Sequence, residues 1–352
     1  MNDPRRSDVL VIGAGQAGLS VSHHLDRLGL QHLVLDAEEG PGGAWRHRWP
    51  TLTMGTVNGI RELPDSTPPA ADADEPANRA IPEWFGTYER DFGIEVERPV
   101  RIRRVTSVGD RLLAHAADGR SWSVRALANA TGTWRKPFWP SVPGRDSFTG
   151  TQLHTHDYPG PQPFAGKRVV VVGGGISAVQ HLLEIAPLAA GTLWVTRRPP
   201  IFTDGEFGEE RGRAAVAMVA DRVSKGLAPR SVVSVTGLPL TPAVRDGIHS
   251  GVLNRLPMFS AVTADGVAWS DGRRCRADVI LWATGFRHNL DHLAPLHLRS
   301  ADGGIVMDGQ QLTRVAKDHR IQLVGYGPGA STIGANRAGR AAAREIQRLL
   351  DS

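Results

Sequence analysis

Hydrophobic positions along the chain gather in short β-branched blocks, and two of these blocks lead through glycines into a helical rhythm. Residues 8–12 (DVLVI) run into Gly13-Ala14-Gly15-Gln16-Ala17-Gly18, after which apolar positions recur at Leu19, Leu25 and Leu28. A short, nearly unbroken apolar block fits a strand buried on both faces, and the wider spacing behind it fits an amphipathic helix. The same order returns at residues 167–172 (KRVVVV), with Gly173-Gly174-Gly175-Ile176-Ser177-Ala178 and then Leu182, Leu183 and Ile185. Each unit is completed by a second strand, residues 32–35 in the first and 192–195 in the second. The pattern predicts an α/β fold class with two Rossmann-like dinucleotide-binding domains.

Strand, glycine turn and helix in this order make a phosphate cradle. Gly13 permits the tight turn, Gly15 lets backbone approach a pyrophosphate, and Gly18 lets helix and strand pack closely, with phosphate charge at the helix N-terminus. Asp36 ends the next strand and is placed to accept hydrogen bonds from a ribose diol. In the second copy Gly173, Gly175, Ser177 and Ala178 hold the equivalent places, but the following strand ends in Thr196-Arg197-Arg198. An acid there would repel a 2′-phosphate, whereas two guanidiniums grip it, so this half is expected to prefer NADPH and the first to hold a dinucleotide without that phosphate. One glycine turn alone also arises for packing; two, each with a chemically sensible strand end, argue for binding.

Residues 127–130 and 279–282 are strand-like, and each leads into the same tripeptide, Ala130-Thr131-Gly132 and Ala283-Thr284-Gly285. These mark the exits between domains, and Thr131, Gly132, Thr284 and Gly285 are counted with the cofactor-binding set. The expected first domain is residues 1–150 with 286–352, and the second, residues 160–285, is inserted into it across a linker at 143–160. Residues 99–124 alternate around Asp118-Gly119 and suit a β-meander. Residues 62–82 are rich in proline and acid without periodicity and read as an irregular loop, residues 205–260 as helical with breaks, and about 331–350 as a closing helix.

Composition narrows the function. With 352 residues, 41% hydrophobic and 22% charged, the chain has material for two cores. No apolar run nears the 18 or so residues of a spanning helix, and Arg5-Arg6 before residues 9–12 makes too short an apolar core for a secretory leader, so a cytoplasmic protein with no membrane partner is expected. The net charge is +5, but its 41 Lys and Arg residues are dispersed and no aromatic-rich basic module points to nucleic acid. The single cysteine, Cys275, cannot form a dithiol centre. His154 and His156 lack a third ligand at metal spacing, so no metal is expected.

With these residues in hand, the chain resembles the class B flavoprotein monooxygenases, which include the flavin-containing monooxygenases and their Baeyer-Villiger relatives. Residues 148–158 (FTGTQLHTHDY) match the linker signature F-x-G-x-x-x-H-x-x-x-Y ahead of the second glycine turn. Tyr158 stands where the Baeyer-Villiger form usually has Trp, which tilts the match to the heteroatom-oxidising branch, while Pro159 is more like the other form. Gly42-Gly43-Ala44-Trp45 with Trp49-Pro50 is similar to the flavin-wrapping G-G-x-W…Y-P segment, and Asn58-Gly59-Ile60-Arg61-Glu62 to N-x-x-K-E. The resemblance implies FAD and NADPH as cofactors, Gly43, Trp45 and His154 among the cofactor-binding residues, and a catalytic Asn58 amide beside the reactive flavin carbon. Asp36 where the family usually has Glu, and Gly325-Tyr326-Gly327 without the Gly-Asp of related disulfide reductases, are departures.

Two cofactor sites imply hydride transfer from NADPH to FAD and then onward to an acceptor. A cysteine relay is excluded, which leaves O2 as co-substrate. The resemblance then implies a flavin C4a-hydroperoxide that oxygenates a soft nucleophilic nitrogen or sulfur of a small molecule. Baeyer-Villiger oxidation of a ketone stays open, as do a flavin reductase and a non-catalytic flavoprotein, and so does a homodimer.

Overall fold

The computed structural model describes residues 3–57, 59–203, 209–229, 237–330 and 332–352. It divides into one unit made of Met1–Thr133, Val216–Arg230 and His288–Ser352 and another made of Trp134–Ala215 and Ser231–Arg287.

In the first unit, β1 (Arg5–Ile12) has Val9–Ile12 buried, as a central parallel strand requires. It is flanked by β2 (His32–Leu35) and β6 (Ser121–Asn129). The path runs β17 (Met307–Asp308), β18 (Arg314–Val315), β19 (Asp318–Leu323), β6, β1, β2, β3 (Val96–Glu97). Strand β6 serves two structures. Its first half alternates between half-buried and buried residues and pairs antiparallel with β5 (Arg111–Ala116), which pairs with β4 (Ile102–Val108), giving the expected meander. Its second half is buried throughout and pairs parallel with β19. The change in pattern follows the change in cover, from one packed face to two.

Helix α1 (Gln16–Arg27) packs on the closing helix α6 (Thr332–Asp351) so tightly that a Cβ on Gly339 would lie 2.3 Å from Ser20 Oγ. Ala338, Ala341, Ala342 and Ile346 form the buried stripe of α6, while Arg337, Arg340 and Arg344 face solvent. The segment read as a loop over 62–82 ends early, because α2 (Ala77–Asp91) begins inside it. Pro82 lies within that helix, where its missing N–H costs one hydrogen bond and the burial of Ile81, Trp84, Phe85 and Tyr88 outweighs it.

The second unit carries a five-stranded parallel sheet in the order β12 (Arg255–Pro257), β9 (Gly191–Thr196), β8 (Arg168–Val172), β16 (Val279–Trp282), β7 (Thr151–His154). Helix α3 (Ile176–Ile185) follows β8, and its Ala178, Leu182 and Ile185 are buried. A small antiparallel sheet, β13 (Ala261–Thr263), β14 (Gly266–Ala268) and β15 (Arg274–Arg276), contributes Val262 and Val267 to a core with Trp269, Phe259 and Trp282. Strands β10 (Phe202–Thr203) and β11 (Leu238–Pro239) pair with each other. Of the region 205–260, α4 (Glu209–Ser224) counts with the first unit from Val216 on and α5 (Pro242–His249) with the second, and residues 204–208 and 230–236 lie outside the described set.

Candidate functional site

The two glycine turns are built alike. In the first unit Gly13, at φ +99°, donates its N–H to Leu35 O at 2.7 Å, and a Cβ there would come within 2.5 Å of Ala130 O. In the second, Gly173, at φ +152°, donates to Val195 O at 2.9 Å, and its Cβ would come within 2.1 Å of Ala283 O. Each turn therefore sits against the alanine of its own Ala-Thr-Gly tripeptide. That is where strand order reverses, between β1 and β6 and between β8 and β16. The repeated tripeptide is thus the neighbouring wall of each turn as well as a chain exit.

What lies above each turn fits a pyrophosphate. Gly15 and Gly175 are the N-cap residues of α1 and α3, both with extended backbone, and no side chain caps either helix. A Cβ at Gly175 would meet nothing within 4 Å, and one at Gly15 only Gly43 Cα at 4.0 Å. Helix N-termini left open in this way present amide N–H groups and positive potential to an anion. The third position differs. A Cβ at Gly18 would lie 1.8 Å from Gly13 O, whereas the second unit accommodates Ala178, fully buried, with Ser177 half-buried beside it.

Asp36 is buried at the end of β2, its carboxylate accepting from Ala14 N at 2.5 Å and Glu38 N at 2.7 Å. It ties the turn to the strand end, and each oxygen keeps a lone pair for a ribose hydroxyl. Gly43 (φ +52°) follows Gly42 (φ +111°) and approaches the turn so closely that its Cβ would lie 2.9 Å from Gly15 Cα. Trp45 stands in the short helix Gly43–His47 with the Arg48 guanidinium 5.4 Å from its ring, and Trp49 is buried. Burial lowers Arg48 to about 10. Arg197 and Arg198 are exposed just past β9, where Thr196 Oγ1 donates to Arg198 O at 2.7 Å and shapes the turn that carries them.

The linker signature is tied into the second unit. A Cβ on Gly150 would come within 2.5 Å of Asp278 O. His154 is fully buried, and burial drives it down to about 4. Its Nδ1 accepts from His156 N at 3.0 Å, so the neutral ring carries its proton on Nε2 and donates to Gly285 O at 3.1 Å. Tyr158 is buried against His181 with ring centres 3.9 Å apart and donates to Glu184 Oε2 at 3.0 Å. The two threonines of the tripeptides also have matching partners. Thr131 Oγ1 donates to Asn289 O at 2.7 Å in the first unit, and Thr284 Oγ1 to Phe138 O at 2.5 Å in the second. Gly132 and Gly285 both take positive φ there, +61° and +78°.

Asn58 lies outside the described residues. Its neighbours are held by backbone: Gln16 Nε2 reaches Arg61 O and Glu62 O at 3.5 and 3.4 Å, and Asn336 Nδ2 reaches Glu62 O at 2.6 Å. The aromatic set around His154 was not singled out in the sequence. Phe286 stacks on Trp134 at 4.9 Å and meets the His154 ring edge at 5.1 Å, with Trp139 at 5.7 Å from the same histidine. Aromatics flanking both Ala-Thr-Gly tripeptides were the available signal. Among the described residues no group of three His, Cys, Asp or Glu could hold a metal, and no helix is long and apolar enough to cross a membrane.

The family described as pyridine nucleotide-disulphide oxidoreductase matches residues 10–208. A flavin-containing monooxygenase from Stenotrophomonas maltophilia superposes with a TM-score of 0.83 at 35% identity, over 98% of this chain and 99% of that one. Indole-3-pyruvate monooxygenase YUCCA1 of Oryza sativa subsp. japonica is 27% identical over 80% of this chain and 77% of its own. Cyclohexanone monooxygenase shares the fold at 18% identity and a TM-score of 0.67, over 99% of this chain and 87% of that one.

Proposed function

The chain belongs to the pyridine nucleotide-disulphide oxidoreductase family and, within it, to the class B flavoprotein monooxygenases that use FAD and NADPH; from that premise we propose that it oxygenates a soft nitrogen or sulfur atom of a small molecule. In this reading the Gly13–Gly18 turn holds the FAD pyrophosphate, Asp36 its ribose diol, and Gly43 with Trp45 closes over the turn. The Gly173–Ala178 turn holds the NADPH pyrophosphate, Ser177 stands in the first turn of α3, and Arg197 and Arg198 bind the 2′-phosphate. Thr131, Gly132, Thr284, Gly285 and His154 act by position, holding the strand ends against which the turns are built. When bound, the cofactors carry two electrons from NADPH to dioxygen, so that one oxygen atom enters the substrate and the other leaves as water.

The observation that carries the choice of substrate is Tyr158. Its hydroxyl bonds Glu184 and its ring packs on His181, and it stands where the resemblance implies Trp in the Baeyer-Villiger form, although the following Pro159 is more like that form. The 35% identity to a flavin-containing monooxygenase, against 18% to cyclohexanone monooxygenase, supports the heteroatom-oxidising branch. Steady-state assays with matched thioether, tertiary amine and ketone panels test it. Stoichiometric S- or N-oxide with NADPH and O2 consumption is expected; ester from the ketones would move the enzyme to the other branch, and NADPH oxidation with no oxygenated product would overturn the reading.

A further inference from the structure

Three turns along α1 from the glycine turn, the first unit has a recess of about 480 Å³ that the dinucleotide reading does not use. Its floor is the groove between α1 and α6, and its rim carries Arg27, Arg337, Arg340 and Arg344, with Asp65 as its acidic residue. Arg337, Arg340 and Arg344 are spaced i, i+3, i+7, so their side chains share one face and their Cα atoms span about 10 Å. Arg27 Nη1 bonds Asp65 Oδ2 at 2.7 Å, and the same oxygen lies 3.1 Å from His23 Nε2. The other three guanidiniums have no ion pair with a described residue. Several exposed arginines elsewhere do find local acids: Arg120 with Asp118, Arg168 with Asp278, Arg273 with Asp271. The charge is felt inside the recess, where His24 is lowered to about 4 by burial and then by His23, Arg340 and Arg27.

We propose that this recess binds a small oligophosphate anion, free or as the phosphate chain of a nucleotide, at a site separate from both dinucleotide cradles. Several guanidiniums along about 10 Å of helix match several phosphoryl groups in a row, because each planar fork takes two oxygens of one phosphoryl group. A single orthophosphate would engage only part of the rim.

Isothermal titration calorimetry on FAD-loaded enzyme saturated with NADP⁺, at fixed ionic strength, tests the site with inorganic tripolyphosphate, ATP and orthophosphate. Saturable one-to-one binding of tripolyphosphate, tighter than orthophosphate, is expected. ATP binding as tightly as tripolyphosphate would show that the phosphates suffice, and tighter binding that the nucleoside contributes. Arg340→Gln with Arg344→Gln should weaken tripolyphosphate at least about tenfold. Arg340→Lys with Arg344→Lys should recover only part of the affinity lost in the double Gln variant, because lysine keeps the charge and not the planar fork, and Arg348→Gln, which removes a guanidinium paired to Glu345 at 2.8 Å, should change little. No saturable heat, or equal affinity in the double Gln variant with unchanged flavin content, would overturn the site without touching the oxygenation reading.

Discussion

At the scale of single residues, glycines that look interchangeable in sequence have different duties. A Cβ at Gly18 would sit 1.8 Å from Gly13 O, so Gly18→Ala must push α1 off its turn. The cost should be about 3 kcal/mol or more by urea unfolding, with FAD lost on gel filtration; a variant that keeps both stability and flavin would contradict the packing. Gly175→Ala meets nothing within 4 Å and has ordinary extended backbone. Its melting temperature should be unchanged while KM for NADPH rises, since in the proposed reading the methyl intrudes only where the pyrophosphate approaches. Arg197→Ala with Arg198→Ala should raise KM for NADPH at least about tenfold and leave KM for NADH nearly unchanged, because each charge-assisted bond to the 2′-phosphate in the proposed reading would be worth about 1.5 kcal/mol or more. Equal effects on both coenzymes would remove these arginines from the site.

At the scale of elements, the strand ends are held by neutral histidines. His154 bonds Gly285 O beside β16, and His292 Nε2 lies 2.7 Å from Asn129 Oδ1 at the end of β6. Burial first of all lowers both to about 4 from an ordinary 6.5. Below 6.5 the unfolded chain takes up protons that the folded one refuses, so the stability these residues contribute is complete above that pH. It is lost as pH falls from 6.5 toward 4, by up to about 1.4 kcal/mol per pH unit for each. The urea midpoint should be level near pH 7 to 8 and decline below 6.5, and His292→Asn should flatten the decline. A midpoint independent of pH over that window would show that neither ring is held neutral.

For the whole molecule, the decisive number is one cysteine. Cys275 is half-buried, and burial raises its pKa, so it is a weak nucleophile as well as a solitary one. Cys275→Ser should retain NADPH oxidation and product yield within about twofold, well under the 1.4 kcal/mol that a tenfold change represents. A loss of turnover with retained flavin would put a thiol back into the electron path. The family's description names disulphide chemistry, but the chain has a single cysteine and is similar to a flavin-containing monooxygenase along nearly that protein's whole length.

Strand, turn and helix, and their repetition, were legible in residues 8–35 and 167–198 because a parallel core strand needs a continuous apolar block and a phosphate turn needs glycine: both are local demands that the chain must write in order. The meander was legible for a similar reason, its period of two over residues 99–124. Folding alone decided what depends on neighbours distant in sequence. It set Ala130 and Ala283 as the walls of the two turns, engaged both nitrogens of His154, joined Pro82 to a helix and made β13–β15 from short segments without a clear period. It also brought Arg27 beside Arg337, Arg340 and Arg344, since the α1–α6 groove joins segments some 300 residues apart and nothing in either one specifies the other's surface charge.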